Sequence, residues 1–93
     1  MTRFQLSDLS VPVIQAPMAG IATPLLAAEV SGAGALGTLG LGTSKAADAA
    51  RVMAETARLL GSNRYGVNLF WHDSARHDAA SEAAWLDYLS PDF

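Results

Sequence analysis

The chain has 93 residues, 9 acidic and 6 basic, for a formal net charge of −3, and no cysteine. That length allows one domain at most, spanning residues 1–93. Disulfides, thiolate metal sites and a cysteine nucleophile are excluded, and the acidic balance runs against a nucleic-acid partner, which needs a basic surplus.

The first ten residues, MTRFQLSDLS, hold no apolar run of the secretory kind, and a reducing, cytoplasmic setting is expected. From Val11 to Gly42 the only ionisable side chain is Glu29. The stretch is nevertheless no membrane span, because Pro12, Pro17, Pro24 and six glycines cut it into short pieces. A charge-free, broken, apolar run suits strands buried on both faces, as in a parallel sheet covered by helices. Residues 1–44 carry three charged side chains and residues 45–93 carry twelve, so the front reads as core and the back as helices with a wet face.

In chain order, VPVIQA (11–16) is a β-branched run that predicts a first strand ending at Pro17. Thr23-Pro24 predicts a helix start, with a hydroxyl cap and a proline at the first helical position. LLAAEVS then forms a short helix stopped by Gly32. ALGTLG (35–40) predicts a second strand, and Thr43 or Ser44 caps the next helix. In KAADAARVMAETARLLG, residues Ala46, Ala49, Ala50, Met53, Ala57 and Leu60 fall on one stripe. The pairs Asp48–Arg51, Arg51–Glu55 and Glu55–Arg58 support that helix, and Gly61 ends it. YGVNLF (65–70) predicts a third strand. A third helix is expected from Asp73 or Ser74 to Leu89, with Ala79, Ala83, Leu86 and Leu89 inward, closed by Ser90-Pro91. The order β-α-β-α-β-α implies parallel strands with right-handed crossovers. The fold class is α/β, beginning either an open doubly wound sheet or a (β/α)₈ barrel.

GAGALG (32–37) fits the dinucleotide pattern G-x-G-x-x-G, but that fingerprint must follow a strand and open a helix. Here it follows a helix and opens a strand. It belongs to the N-terminal edge of the sheet, as a turn whose Gly34 and Gly37 permit close helix–sheet packing. Ligands bind at the other edge. Three segments end strands there: Gln15–Gly20, Leu39–Ser44 and Asn68–His72. QAPMAG offers backbone donors and acceptors to the edge of a flat heteroaromatic ring, with Met18 as a polarisable wall; the plainer reading is a βα turn with Met18 filling core. Asn68, set between apolar neighbours, must satisfy its amide on nearby backbone or on a ligand. LGLGTS reads as ordinary capping. His72, Asp73, His77 and Asp78 lie at spacings that do not stack the two histidines on one helical face, so no metal is expected. No serine sits on a nucleophile elbow.

VPVIQAPMAGIATPLLAAEVSGAGALGTLG, followed by a helix and YGVNLF, resembles the opening of the nitronate monooxygenase family, the former 2-nitropropane dioxygenases. The likeness runs from Val11 to Phe70 and loosely through WLDYLSPDF. Flavin-dependent enoyl-ACP reductases share much of the same opening and are the nearest competitor. The resemblance implies the N-terminal part of a (β/α)₈ TIM barrel with FMN at the C-terminal face of its strands. Carried over position by position, it implies that Ala16, Pro17, Met18 and Ala19 border the isoalloxazine ring, that Asn68 contacts FMN, and that Phe70 lies on the flavin or substrate side. The implied reaction is oxidation of an alkyl nitronate by dioxygen to a carbonyl compound and nitrite. Ala35 stands where the family often has glycine, and WHDSARHD follows Phe70 where the family often has prolines. A complete barrel takes about 250 residues. The family's catalytic histidine belongs to a later strand, so no catalytic residue is assigned to this chain. Three βα units alone are expected to self-associate and to turn over no substrate. A non-catalytic α/β module that assembles with itself or with a complementary chain is the rival reading.

Overall fold

The backbone pairs its extended segments in parallel throughout, as the crossover order requires. A computed structural model describes residues 3–93. Its elements are α1 (Pro24–Gly32), β1 (Thr38–Gly40), α2 (Ala46–Leu60), β2 (Gly66–Asn68) and α3 (Ala79–Leu89), with short 3₁₀ turns at Leu6–Asp8 and Ser90–Asp92. β1 and β2 form a two-stranded parallel sheet in the register Thr38↔Gly66, Leu39↔Val67, Gly40↔Asn68.

The expected first strand is reduced to one bridge, Ile14↔Leu36, also parallel. Its prolines explain this. Pro12 and Pro17 have no N–H to donate, and Val13 N–H turns back to Val11 O at 2.8 Å. What remains are bonds from Val11 to Gly34 O, from Leu36 to Val13 O and from Gln15 to Leu36 O.

α1 begins as the sequence predicts: Thr23 Oγ1 accepts from Leu26 N–H at 3.1 Å and Pro24 opens the helix. It ends differently. Gly32 is its last residue, Ala33 is the cap, and the left-handed position is Gly34, with φ +99°. α2 ends on Gly61 in the left-handed conformation, as expected. Its N-cap is Lys45, not Thr43 or Ser44, because a turn from Leu41 O to Ser44 N–H sets those residues ahead of the cap. Two of the expected ion pairs form, Asp48–Arg51 at 3.9 Å and Glu55–Arg58 at 2.6 Å. The Arg58 hydrogen bond holds the Glu55 carboxyl below its usual range, but pairs this exposed add little stability.

The core is small and lies where α1 and α2 pack beside β1. Ala27 and Leu39 are fully buried, joined by Leu41, with Ala49, Val52 and Tyr65 against them. The buried face of α2 is therefore turned from the expected stripe: Thr56 is fully buried while Met53 is exposed. Thr56 is tolerated there because its hydroxyl donates to Val52 O at 2.8 Å.

α3 departs most from expectation. It starts at Asp78–Ala79 rather than at residue 73 or 74, since Asp78 accepts from the Ala80 and Ser81 N–H groups. None of its residues is buried, including Ala79, Ala83, Leu86 and Leu89. The radius of gyration is 18.1 Å, against about 12 Å for a compact chain of this length. Among the described residues no helix is long and apolar enough to cross a membrane.

Candidate functional site

The C-terminal end of β1 is where the loops converge. After Gln15 the chain leaves the sheet and runs through Ala16-Pro17-Met18-Ala19 across Gly40. The approach is tight: a Cβ on Gly40 would lie 2.8 Å from Ala19 N and 3.0 Å from the Met18 carbonyl carbon. Gly40 pairs in register with Asn68 on β2. Two residues further, Gly42 lies under Phe70, and a Cβ there would come within 2.7 Å of the phenyl ring. Alanine at either glycine would push the loop or the ring away, so the two glycines form the floor on which these pieces rest.

Asn68 uses its amide in a definite way. Its Oδ1 accepts from Leu41 N–H at 2.8 Å, one residue past β1. A side chain thus extends the ladder where the strands have ended. Because the oxygen is engaged, Nδ2 is the group left to meet a ligand, and it has no protein partner among the described residues. Of the two alternatives open from sequence, the bond to nearby backbone is the one the oxygen makes.

All six residues expected from sequence therefore gather at one rim: Ala16, Pro17, Met18 and Ala19 in the loop, Asn68 at the end of β2, and Phe70 above Gly42. The loop residues are exposed, as is the Phe70 ring at 59 %. An exposed sulfur, an aromatic face, a loop backbone whose Ala16 and Met18 carbonyls are already engaged, and one amide donor suit a flat, partly polar ring. Residues 11–44 and 65–75 contain neither Lys nor Arg, and the cation that follows the first of these segments is Lys45, the N-cap of α2.

GAGALG lies at the other end of the sheet. Gly34 faces Ser10, whose Oγ would sit 2.0 Å from an added Cβ, so its close neighbour is the N-terminal segment rather than a helix. Gly37 lies against α1, with the Ala27 carbonyl oxygen 2.0 Å from an added Cβ, and its own N–H donates to the buried Ser31 Oγ at 2.8 Å. An open cavity of about 710 Å³ at this lower end, lined by Arg3, Phe4, Arg64 and Tyr65 among others, is remote from the rim. His77 pairs with Glu82 at 3.3 Å, both exposed, on the stalk of α3.

Sequence reasoning missed two contributors. Gln15 is one, a polar residue in an apolar run directly ahead of an X-Pro step, which is the signal that would have found it. Leu41 is the other; it acts through its backbone N–H, and sequence carries no mark of that.

The fold is a parallel α/β arrangement whose loops converge at the C-terminal ends of its strands. The sequence model of a family described as Nitronate monooxygenase matches residues 2–90. The chain belongs to the nitronate monooxygenase family. It is 48 % identical over 88 residues to a nitronate monooxygenase of Paraburkholderia phytofirmans, which covers 95 % of this chain and 24 % of that protein. It is 46 % identical over 89 residues to a nitronate monooxygenase of Pseudomonas aeruginosa, covering 96 % and 25 %. A probable nitronate monooxygenase of Staphylococcus aureus is 44 % identical over 69 residues, covering 71 % and 18 %. The chain thus spans about a quarter of the length of its two more similar relatives.

Proposed function

We propose that these residues form the first three βα units of a TIM barrel that carries FMN, in an enzyme that oxidises alkyl nitronates such as propionate 3-nitronate with dioxygen, yielding a carbonyl compound and nitrite. The observation that carries this reading is the convergence of the Met18–Ala19 loop, Asn68 and Phe70 on Gly40 and Gly42. When bound, the flavin ring supplies an electron acceptor for the nitronate and a donor for dioxygen. The chain's own residues do the placing. The Ala16–Ala19 backbone would border the ring, Met18 would pack on it, Asn68 Nδ2 would donate to one of its acceptors, and Phe70 would wall the substrate side. The phosphate grip and the catalytic base come from later strands.

Among the described residues, β2 has no partner on its outer side, and α3 has no neighbouring element but the 3₁₀ turn that follows it. Large apolar side chains stay in water there, with Trp71 fully exposed and Trp85 at 63 %. Open edges and faces of this kind associate. The isolated chain therefore binds FMN weakly, self-associates and turns over no nitronate. Two measurements test this. Gel filtration with FMN should give self-associated chain and little bound flavin; tight stoichiometric binding by a monomer would contradict it. A chimera in which this chain replaces the matching quarter of the P. phytofirmans relative should hold FMN and consume oxygen when given a nitronate, with no pyridine nucleotide. Oxidation of NAD(P)H without nitronate would point instead to the enoyl-ACP reductase reading.

A further inference from the structure

Beside β1 the backbone ladder stops one step early, and a side chain completes it. The ladder runs from Val11 N–H to Gly34 O, from Leu36 N–H to Val13 O, and from Gln15 N–H to Leu36 O. The next two rungs of a parallel pair would be Thr38 N–H to Gln15 O and the N–H of residue 17 to Thr38 O. Residue 17 is proline and has no N–H. The Gln15 side chain takes over: Oε1 accepts from Thr38 N–H at 3.2 Å, and Nε2 donates to Thr38 O at 3.1 Å. Nε2 also donates to Ala16 O at 2.7 Å. The Thr38 hydroxyl donates to Gln15 O, the acceptor this arrangement leaves free. Only a group with a donor and an acceptor on one planar unit can do this.

The consequence falls on the loop. With both polar groups of Thr38 satisfied, the chain leaves the sheet at Ala16 and crosses Gly40 at backbone contact distance. We propose that Gln15 is a positioning residue: its side-chain amide replaces the N–H that Pro17 lacks, and thereby fixes the Ala16–Ala19 loop on Gly40 and sets where a flat ring meets that loop. The placement of a ring rests on the flavin reading above; the latch itself does not.

Hydrogen exchange tests the latch in the chain itself. The amides to follow are Thr38, held by Gln15, and Ile21 and Ala22, which donate to Met18 O; α2 amides serve as the internal reference for folding. Gln15→Leu removes donor and acceptor. Gln15→Glu restores both only when protonated, since its carboxylate would face the Ala16 and Thr38 carbonyl oxygens. Its pH response is readable, because Glu29, exposed on α1, is the only ionisable side chain in residues 11–44 and β2 has none. After correction for intrinsic rates, Gln15→Leu should exchange Thr38 about tenfold faster at all pH values. Gln15→Glu should match the parent near about pH 4. Near about pH 8 its carboxylate can still accept from Thr38 N–H but cannot donate to Ala16 O or Thr38 O. Ile21 and Ala22 in the released loop should then exchange faster, as in the leucine variant, while Thr38 keeps more protection than in that variant. Parent-like protection in Gln15→Leu, or a pH-independent Gln15→Glu, would overturn the latch.

The chimera separates the two readings. There Gln15→Leu should weaken FMN binding about tenfold and shift the flavin absorption band, with Gln15→Glu recovering at low pH. If the exchange pattern holds but the parent chimera binds no FMN, the flavin reading fails and the latch stands. If parent and variants bind FMN equally, the positioning role is overturned.

Discussion

α2 and α3 are both read from apolar residues at helical spacing, and they meet opposite fates. α2 packs on α1 and buries Thr56 completely, while α3 buries nothing. Their composition explains the difference. α2 keeps its charges on one side, so one face can leave water. In α3, Ala, Leu, Trp and Tyr surround the axis with only Ser81, Glu82 and Asp87 between them. Such a helix is poorly served by a single packing partner, and among the described residues it has none beyond its own terminal turn. A helix pattern fixes local conformation; burial depends on what stands opposite.

Substitutions should separate the packed body from the stalk, and the largest effect belongs to the helix–sheet contact. Gly37→Ala places a methyl against the Ala27 carbonyl oxygen. Backbone must move to admit it, at about 3 kcal/mol or more, measured as a fall in the denaturant midpoint. Leu39→Ala empties the centre of the core and should cost about 3 kcal/mol by the same assay. In contrast, Leu86→Ala, at a position 71 % exposed in α3, should change stability by less than about 0.5 kcal/mol. At a concentration where the chain is monomeric, a loss as large as that of Leu39→Ala would mean that α3 packs against the chain's own body, contrary to its exposure.

The smallest effect is a pH response confined to α3. The Ser81 backbone N–H, then the Ser81 hydroxyl and the Ala80 N–H, hold the Asp78 carboxyl below its usual range. A carboxyl whose folded value is depressed contributes stability above its unfolded value, near about pH 3.9, and loses it as pH falls through the folded value. Circular dichroism should therefore show α3 fraying on acidification below about pH 4, with α2 retained. Asp78→Asn, which keeps an acceptor at the cap, should abolish that response.

Much of the fold was legible because it rests on local chemistry. Thr23-Pro24 and Gly61 marked helix ends through caps that act within one turn. GAGALG could be placed at the N-terminal edge from its order between helix and strand. Parallel pairing followed from the crossover rule. The errors have physical causes of their own. The first strand is short because prolines cannot donate. The α2 stripe is rotated because a threonine that bonds its own helix counts as core. The start of α3 lies later because Asp78 caps better than Asp73 or Ser74. At the rim, the position of QAPMAG at the C-terminal ends of the strands was readable from its order after the first extended segment. The contacts on Gly40 and Gly42 and the two side-chain amides that finish the sheet were not, since they depend on tertiary register.

The flavin footprint on the chimera is the most direct measurement. Hydrogen exchange with and without FMN should slow at residues 16–22, 40–44 and 68–71 and stay unchanged at residues 32–37. Slowing at the glycine hexapeptide with none at Met18 and Asn68 would place the ligand at the wrong end of the sheet and contradict the account.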